Sequence, residues 1–496
     1  MNIYAILLFF QKLAICYAGT VRVTVQVNTS MPIQNVGPHF VSVALEAGIF
    51  REKRKVKHNF KFRSETMQTL AKGLSPSYIR MGGTSADFLT FSDENVETVR
   101  NTSWNLPYEM VEHDAYFNIG KDLNNYTMTA SMWDETLQFM KTVGWDLIFD
   151  INVLKRENGK WEPSNALMLM KYTISKGYKL AGWELGNEPN DFRKLVGLPI
   201  TPDTLGQDFV TLKGFLDNYF PNTLLLGPST TQLSHKKARE YFTDYYIDGR
   251  TAVTEDFINP SILDKLAPEI KLGNSILKQK GSKKKIWLGE TSSAFGGGAP
   301  GLSNAYVAGF MWLDKLGVCA KLGIDVVVRQ SFYEGHYAMV DYDTVTPFPD
   351  YWLTFAYKNF VGGNVLNVTL DQTKGYVRMY AHCTNTRSGR YEAGSVTFYG
   401  MNLMNTTVQI ALPKFHDHDL HLYLMEPGDG GLTSGSVKLN GVELSLTETG
   451  SLPNIYIPKT VRSPVKIPAQ TFMFLVVPSA DVSACRTDQI YKSSVP

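Results

Sequence analysis

Leu180-Ala-Gly-Trp-Glu-Leu-Gly-Asn-Glu-Pro-Asn190 reads as a short apolar strand that breaks into a polar turn. Pro189 has no N–H and stops the strand, so the chain turns there and leaves Glu188, with Asn187 beside it, at the strand mouth. The same texture recurs along the middle of the chain. Candidate strands lie at 40–45, 77–81, 147–151, 180–185, 223–226, 285–288 and 326–329, with helical stretches such as 65–73, 133–143, 166–176 and 205–219 between them. This alternation predicts a parallel β/α fold. Most of the strands end in polar or Gly-rich loops: Arg80-Met-Gly-Gly-Thr84, Gly186-Asn-Glu-Pro189, Gly289-Glu-Thr-Ser-Ser293 and Arg329-Gln330. Polar motifs dispersed over many strand ends favour a (β/α)8 TIM barrel over a doubly wound sheet, whose ligand sits at one switch point.

Outward from this core, the texture changes after Trp352. Short alternating segments at 376–383, 395–401, 407–412, 420–424 and 472–477 are separated by Gly, Asn and Pro turns, which predicts a C-terminal antiparallel β-sandwich. An early strand at 20–27 is expected to join that sheet. The expected division is a signal peptide at 1–18, a strand segment at 19–33, the catalytic barrel at 34–355 and the sandwich at 356–496. A length of 496 residues exceeds one hydrophobic core, and 44% apolar with 12% aromatic residues excludes disorder as the dominant state. Charge arithmetic, 49 − 47 = +2, leaves no global field to draw the chain onto nucleic acid, so a polyanion must be held by local patches. The sharpest basic cluster is read at Arg51 to His58.

The segment 1–18 has the apolar runs and small residues (Cys16, Ala18) of a secretory signal cleaved before Gly19. Later runs fall short of the roughly 18 apolar residues that span a bilayer. Acceptor tripeptides for N-glycosylation stand at Asn28, Asn101, Asn125, Asn367 and Asn405. Once Cys16 leaves with the signal, Cys383 and Cys485, both in β-rich sequence, are expected to pair in an oxidising compartment. Cys319, in an apolar helical run, reads as a buried free thiol. Four cysteines exclude a thiolate metal cage, and no metal or cofactor is expected.

A second strand-end carboxylate, Glu290, sits in Ile286-Trp-Leu-Gly-Glu-Thr-Ser-Ser293, followed by Gly296-Gly-Gly298. Two carboxylates facing each other across a barrel mouth are what glycoside hydrolysis requires: one protonates the leaving oxygen, the other attacks the anomeric carbon or activates water. Acidic strand ends also cap helices or pair with arginines, but two in these contexts favour the catalytic reading. Arg193 and Lys194 follow the Glu188 loop closely and are read as holding a sulfate or carboxylate one subsite away; Lys236 and Lys237 follow the fifth strand.

At these residues the sequence resembles the heparanases, endo-β-glucuronidases that cut heparan sulfate. The likeness covers nearly the whole chain after the signal. It is densest in Gly73-Leu-Ser-Pro-Ser-Tyr-Ile-Arg-Met-Gly-Gly-Thr84, in the Glu188 stretch, in 286–300 with its Gly-Glu-Thr-Ser-Ser-Ala-Phe-Gly-Gly-Gly-Ala-Pro, and in Ala308-Gly-Phe-Met-Trp-Leu-Asp-Lys-Leu316. The resemblance implies a barrel plus sandwich and a retaining mechanism, with Glu188 as general acid/base and Glu290 as nucleophile. Asn187 is the expected donor to the sugar 2-hydroxyl. Arg250 would line the cleft, and Gly296, Gly297 and Tyr337 would cradle a glucuronate carboxylate. Thr84, Glu46 and Gln232 complete the expected substrate-binding set. Heparan sulfate or heparin is the implied partner, a processing protease a further one, and a secreted or lysosomal location reaching the extracellular matrix is implied.

Three departures stand out. The family's strand-six motif Trp-His-His-Tyr-Tyr is reduced here to Tyr245-Tyr246, with Thr243-Asp244 in place of the histidines. Eighteen residues, 229–246, must hold the loop after strand five, a helix and strand six; a crossover alone takes at least about ten to twelve. Either strand six is lacking or distorted, or this is a shortened form with impaired folding or activity. Second, the family's first-strand Asp-x-Asn is Glu46-Ala-Gly48. Third, the region about 91–131, which matches an excised linker, is short and carries no obvious paired protease signal. The readings are thus an active endo-β-glucuronidase, a catalytically impaired heparan sulfate-binding homologue, or a different glucuronidase.

Overall fold

The computed structural model describes residues 21–51, 60–93, 124–229, 244–371 and 374–486. Eight parallel strands form one sheet: β1 Val41–Glu46, β2 Ser77–Gly82, β3 Trp145–Ile151, β4 Gly182–Leu185, β5 Leu224–Leu226, β6 Asp244–Asp248, β7 Trp287–Phe295 and β8 Val326–Arg329. Their spatial order is β5-β4-β3-β2-β1-β8-β7-β6. Most are near-continuous apolar runs, as strands covered on both faces must be; β3 reads Trp-Asp-Leu-Ile-Phe-Asp-Ile. Intervening helices include α1 Glu65–Gly73, α2 Ala130–Val143, α3 Ser164–Ser175, α4 Pro202–Tyr219 and α5 Leu266–Gln279. Helix α2 shows the local logic: Thr129 caps its start by accepting from the Met132 N–H, and Gly144 ends it in a left-handed turn.

One expectation is corrected here. Strand six is present: β6 lies parallel to β7, with Asp244 opposite Thr291 and Asp248 opposite Phe295. The length argument failed because β6 begins two residues after Phe242 and takes the Tyr-Tyr pair into itself. Among the described residues no pairing joins β6 to β5; residues 230–243, with Gln232, His235, Lys236 and Lys237, lie outside them.

The C-terminal part forms a second, mainly antiparallel sheet. Its principal strands are β9 Val361–Leu370, β10 Val377–Thr384, β11 Val396–Asn402, β12 Val408–Ala411, β13 Leu420–Pro427 and β14 Thr471–Val477. The N-terminal strand Val21–Asn28 joins it as expected, antiparallel to β9 and parallel to β12. β9 was not foreseen from the sequence. Two helices, α6 Ala308–Leu322 and α7 Pro349–Phe360, connect the two sheets, and nearly every residue of each is buried. Helix α6 is largely apolar, and its Asp314 and Lys315 are buried with it. Its Gly317 and Gly309 permit the contact: a Cβ there would stand 2.3 Å from Tyr380 and 2.7 Å from Phe472 of the second sheet. Cys319 on α6 is buried and takes no part in a disulfide.

Asn28, Asn125 and Asn405 are exposed, Asn367 is half-buried opposite Asn28 in the β9 pairing, and Asn101 lies outside the described residues, as does the 1–18 segment. Among the described residues no helix is long and apolar enough to cross a membrane.

Cys383 and Cys485 form a disulfide across 102 residues. Replacing both with Ala should lower unfolding stability by about 2–5 kcal/mol in urea titration; an unchanged midpoint would contradict a role in holding the C-terminal segment. A second prediction concerns His382 on β10. Its Nδ1 faces the Gly362 carbonyl at 2.8 Å and so donates, leaving Nε2 to accept from Tyr399 Oη at 3.1 Å. Burial pushes this imidazole down from 6.5 to about 4. Between those values the unfolded chain binds the extra proton, so stability is full above pH 6.5 and falls as pH drops towards 4. His382→Gln should flatten that part of the stability–pH curve; an unaltered slope would contradict the assignment.

Candidate active site

The site grows from single charges set inside apolar strands. Arg80 of β2 is 4% exposed at its side chain. Its Nε donates to Glu184 Oε2 at 2.7 Å, Nη1 to Glu290 Oε2 at 3.0 Å and Nη2 to Asn187 Oδ1 at 2.8 Å. One guanidinium therefore ties β4, the loop after β4 and β7 together. Asp150 of β3 stands in register with Glu184 of β4 and lies 3.9 Å from Arg80 Nη2. Burial alone would weaken the Arg80 cation, but the charges of Glu184, Glu290 and Asp150 more than offset it and hold the group charged. Asp150 is pushed well above the usual carboxylate range, first by burial and then by Glu184 and Asp87. Asp87 is raised likewise, chiefly by burial.

Glu188 sits just past β4 with φ 48° and ψ 50°, a left-handed conformation rare for a residue with a side chain. Two hydrogen bonds hold it there: the Asn187 N–H donates to Asp87 Oδ2 at 3.1 Å, and the Glu188 N–H to the Ser229 carbonyl at 3.0 Å. Such local strain persists only where the surroundings fix it, and it gathers at functional sites. Asn187 is buried, Glu188 half-buried, and the Glu290 side chain 14% exposed.

The other expected residues divide into those the fold gathers and those it does not. Glu46 ends β1 against Gly83, where a Cβ would fall 2.1 Å from Glu46 Oε1, and Thr84 follows at the start of a 3-10 turn. Gly296, Gly297 and Gly298 all have positive φ. Their loop is pressed between two neighbours: the His336 N–H donates to the Gly297 carbonyl at 2.7 Å, and a Cβ on Gly249 would lie 2.6 Å from the Gly298 carbonyl oxygen. Tyr337, next to His336, keeps its phenolic proton firmly. Burial raises it first, then the charge of Glu290, with a smaller push from Glu46. Arg250 forks onto Asp248, at 2.9 Å from Nε to Oδ1 and 2.6 Å from Nη2 to Oδ2. Arg193 is exposed, and among the described residues it forms no ion pair; the Lys194 side chain and Gln232 lie outside the described set.

Arg80, Glu184, Asp150 and Asp87 were missed as site residues by the sequence reading. The available signal was a charged residue within an apolar run meant for burial on both faces, as in Ile-Arg-Met, Phe-Asp-Ile and Trp-Glu-Leu.

One carboxylate just past β4 and a second within β7, the latter held by a buried arginine, are the equipment of a glycoside hydrolase. The description "Glycosyl hydrolase family 79, N-terminal domain" matches residues 53–231 and 245–317. Heparanase of Mus musculus is 37% identical over 509 residues, covering 92% of this chain and 93% of that protein. "Inactive heparanase-2" of Homo sapiens is 31% identical, covering 94% and 90%. Among solved structures, a 4-O-α-L-rhamnosyl-β-D-glucuronidase from Fusarium oxysporum superposes with a TM-score of 0.61 at 17% identity, covering 91% and 99%, a likeness of fold. The chain belongs to glycosyl hydrolase family 79 and is heparanase-like.

Arg80→Met keeps the apolar stem but leaves Glu184 buried without its cation. The expected loss is about 3–5 kcal/mol of unfolding stability. A loss below about 1 kcal/mol, the range of an exposed pair, would show that Arg80 does not organise the site.

Proposed function

We propose that this chain is an endo-β-glucuronidase that cleaves heparan sulfate by retaining double displacement. The observation that carries the reading is the Arg80 bridge, which binds Glu290 Oε2 and the Asn187 side chain with one guanidinium. A fixed cation on one oxygen of Glu290 orients the other oxygen for attack on the anomeric carbon. As that bond forms, Glu188 gives its proton to the glycosidic oxygen and the bond to the leaving sugar breaks. Water then enters, Glu188 takes its proton, the water oxygen bonds to the anomeric carbon, and Glu290 is released as carboxylate. Because Asn187 Oδ1 is engaged by Arg80, its Nδ2 is the end left to donate to the sugar 2-hydroxyl. Tyr337 stays a hydroxyl donor, and with the Gly296–Gly297 backbone it is assigned to the glucuronate carboxylate.

The eight strands, in the order a barrel has, support closure as a (β/α)8 barrel. The second sheet encloses its own apolar core, including Val23, Leu366, Phe398, Ile410 and Leu475, which supports a sandwich. The division at 34–355 and 356–496, passage through the secretory route and the sulfated partner belong to the same proposal. A second reading, a binding protein without turnover, is favoured by the inactive relative and by Thr243-Asp244 in place of the strand-six histidines.

Size-exclusion of heparan sulfate incubated between pH 4 and 7 separates the two. The enzyme reading predicts shortened chains, with Glu188→Gln and Glu290→Gln each slowing cleavage by on the order of 10²–10⁴-fold. Unchanged chain length with folded wild-type protein would establish the second reading instead.

A further inference from the structure

Residues 270–286, Ile-Lys-Leu-Gly-Asn-Ser-Ile-Leu-Lys-Gln-Lys-Gly-Ser-Lys-Lys-Lys-Ile, hold six lysines and no acid in a chain whose net charge is only +2. Lys271 and Lys278 lie on α5, Lys280 is its C-cap, and Lys283, Lys284 and Lys285 lead into β7; all six are exposed. The turn that carries them is fixed: the Ser282 N–H donates to the Leu277 carbonyl at 2.9 Å, and the Lys284 N–H to Ser282 Oγ at 3.2 Å. Helix α6 ends beside α5, where Asn274 Nδ2 donates to the Leu322 carbonyl at 3.0 Å, and the exposed Lys321 is the residue before that carbonyl.

Lys285 pairs with Asp325 at 3.1 Å, and among the described residues Lys278, Lys280, Lys283 and Lys284 form no ion pair. Two helix C-termini account for one or two cations by their dipoles. Six or seven exceed that need and create a local positive field. The patch lies at the amino end of β7. Lys285 precedes Glu290 by five residues, about 16 Å of strand, so the patch is on the end of the sheet opposite the carboxylates.

We propose that this lysine face is a second binding site, an exosite for sulfated polysaccharide separate from the catalytic mouth. Lysines are point charges on flexible stems, suited to a chain whose sulfates and carboxylates vary in spacing. Nucleic acid is the poorer fit because the patch presents no exposed aromatic for base stacking: Trp287 stacks on Tyr78 at 5.0 Å and donates to Asp325. A long chain held at two places gains affinity from the second contact without any new catalytic group. The exosite depends on its own lysines and not on turnover at Glu290, so a binding measurement tests it whatever the catalytic assay shows.

The test compares the full chain carrying Glu290→Gln, which prevents cleavage, with the same chain carrying Lys280→Ser, Lys283→Ser and Lys284→Ser as well. The expected result is earlier elution from heparin-agarose and a slope of log affinity against log salt that falls by about 2–3. In the Glu290-intact background, KM for long chains should rise several-fold while KM for a short oligosaccharide stays unchanged. Unchanged elution and slope would overturn the proposal. So would an equal loss of affinity for double-stranded DNA or for anionic lipid vesicles, which would make the face a general polyanion surface.

Discussion

The arrangement at the site depends on one cation that has been taken out of water. Arg80 is nearly inaccessible, and its guanidinium is divided among Glu184, Glu290 and Asn187, with Asp150 close by. Burying an isolated cation is prohibitive, so the carboxylates are as necessary to Arg80 as it is to them. Four acids around one arginine cannot all be charged in a dry interior. Burial pushes Asp87 and Asp150 well above the usual carboxylate range, which favours their holding a proton. The two glutamates are the acids that touch the guanidinium directly.

The scaffold makes this possible through register. Parallel strands set Asp150 directly opposite Glu184, and Arg80 one strand further on, opposite Ile148. Side chains from three strands then converge without any loop having to place them. Loops supply the rest: the left-handed Glu188, the glycines at 296–298 and the His336–Tyr337 turn close on the same end of the sheet. Helices α6 and α7 press the two sheets together from behind, and the glycines of α6 let it lie against the aromatic face of the second sheet.

Much of this was legible in the sequence, for identifiable reasons. Strands buried on both faces betray themselves as apolar runs, which is why seven of the eight parallel strands were located, although β7 runs seven residues past its expected end. The eighth, Asp-Tyr-Tyr-Ile-Asp, has charged ends and follows an unusually short crossover, so length arithmetic argued against it. Strand β9 carries Gly362-Gly363-Asn364 near its start, residues that strands seldom favour; a register shift between Val361 and Val365 accommodates them. Glu188 and Glu290 stood out in the sequence because a proline and a glycine run mark their loops. Arg80, Glu184 and Asp150 were not, because their meaning lies in which strands are neighbours, and a linear pattern does not contain that. The lysines of 278–285 were passed over in favour of 51–58 because only the fold shows that they are all exposed at the end of the sheet opposite the carboxylates.

The central claim is that Glu290, aimed by Arg80, is the group that bonds to the sugar. Incubation with a mechanism-based glucuronide inactivator, followed by peptide mass mapping, tests it most directly. The account predicts a single covalent label on Glu290, absent in Glu290→Gln and retained, though formed more slowly, in Glu188→Gln. A folded wild-type protein that takes no label, or takes it on another carboxylate, would contradict the account.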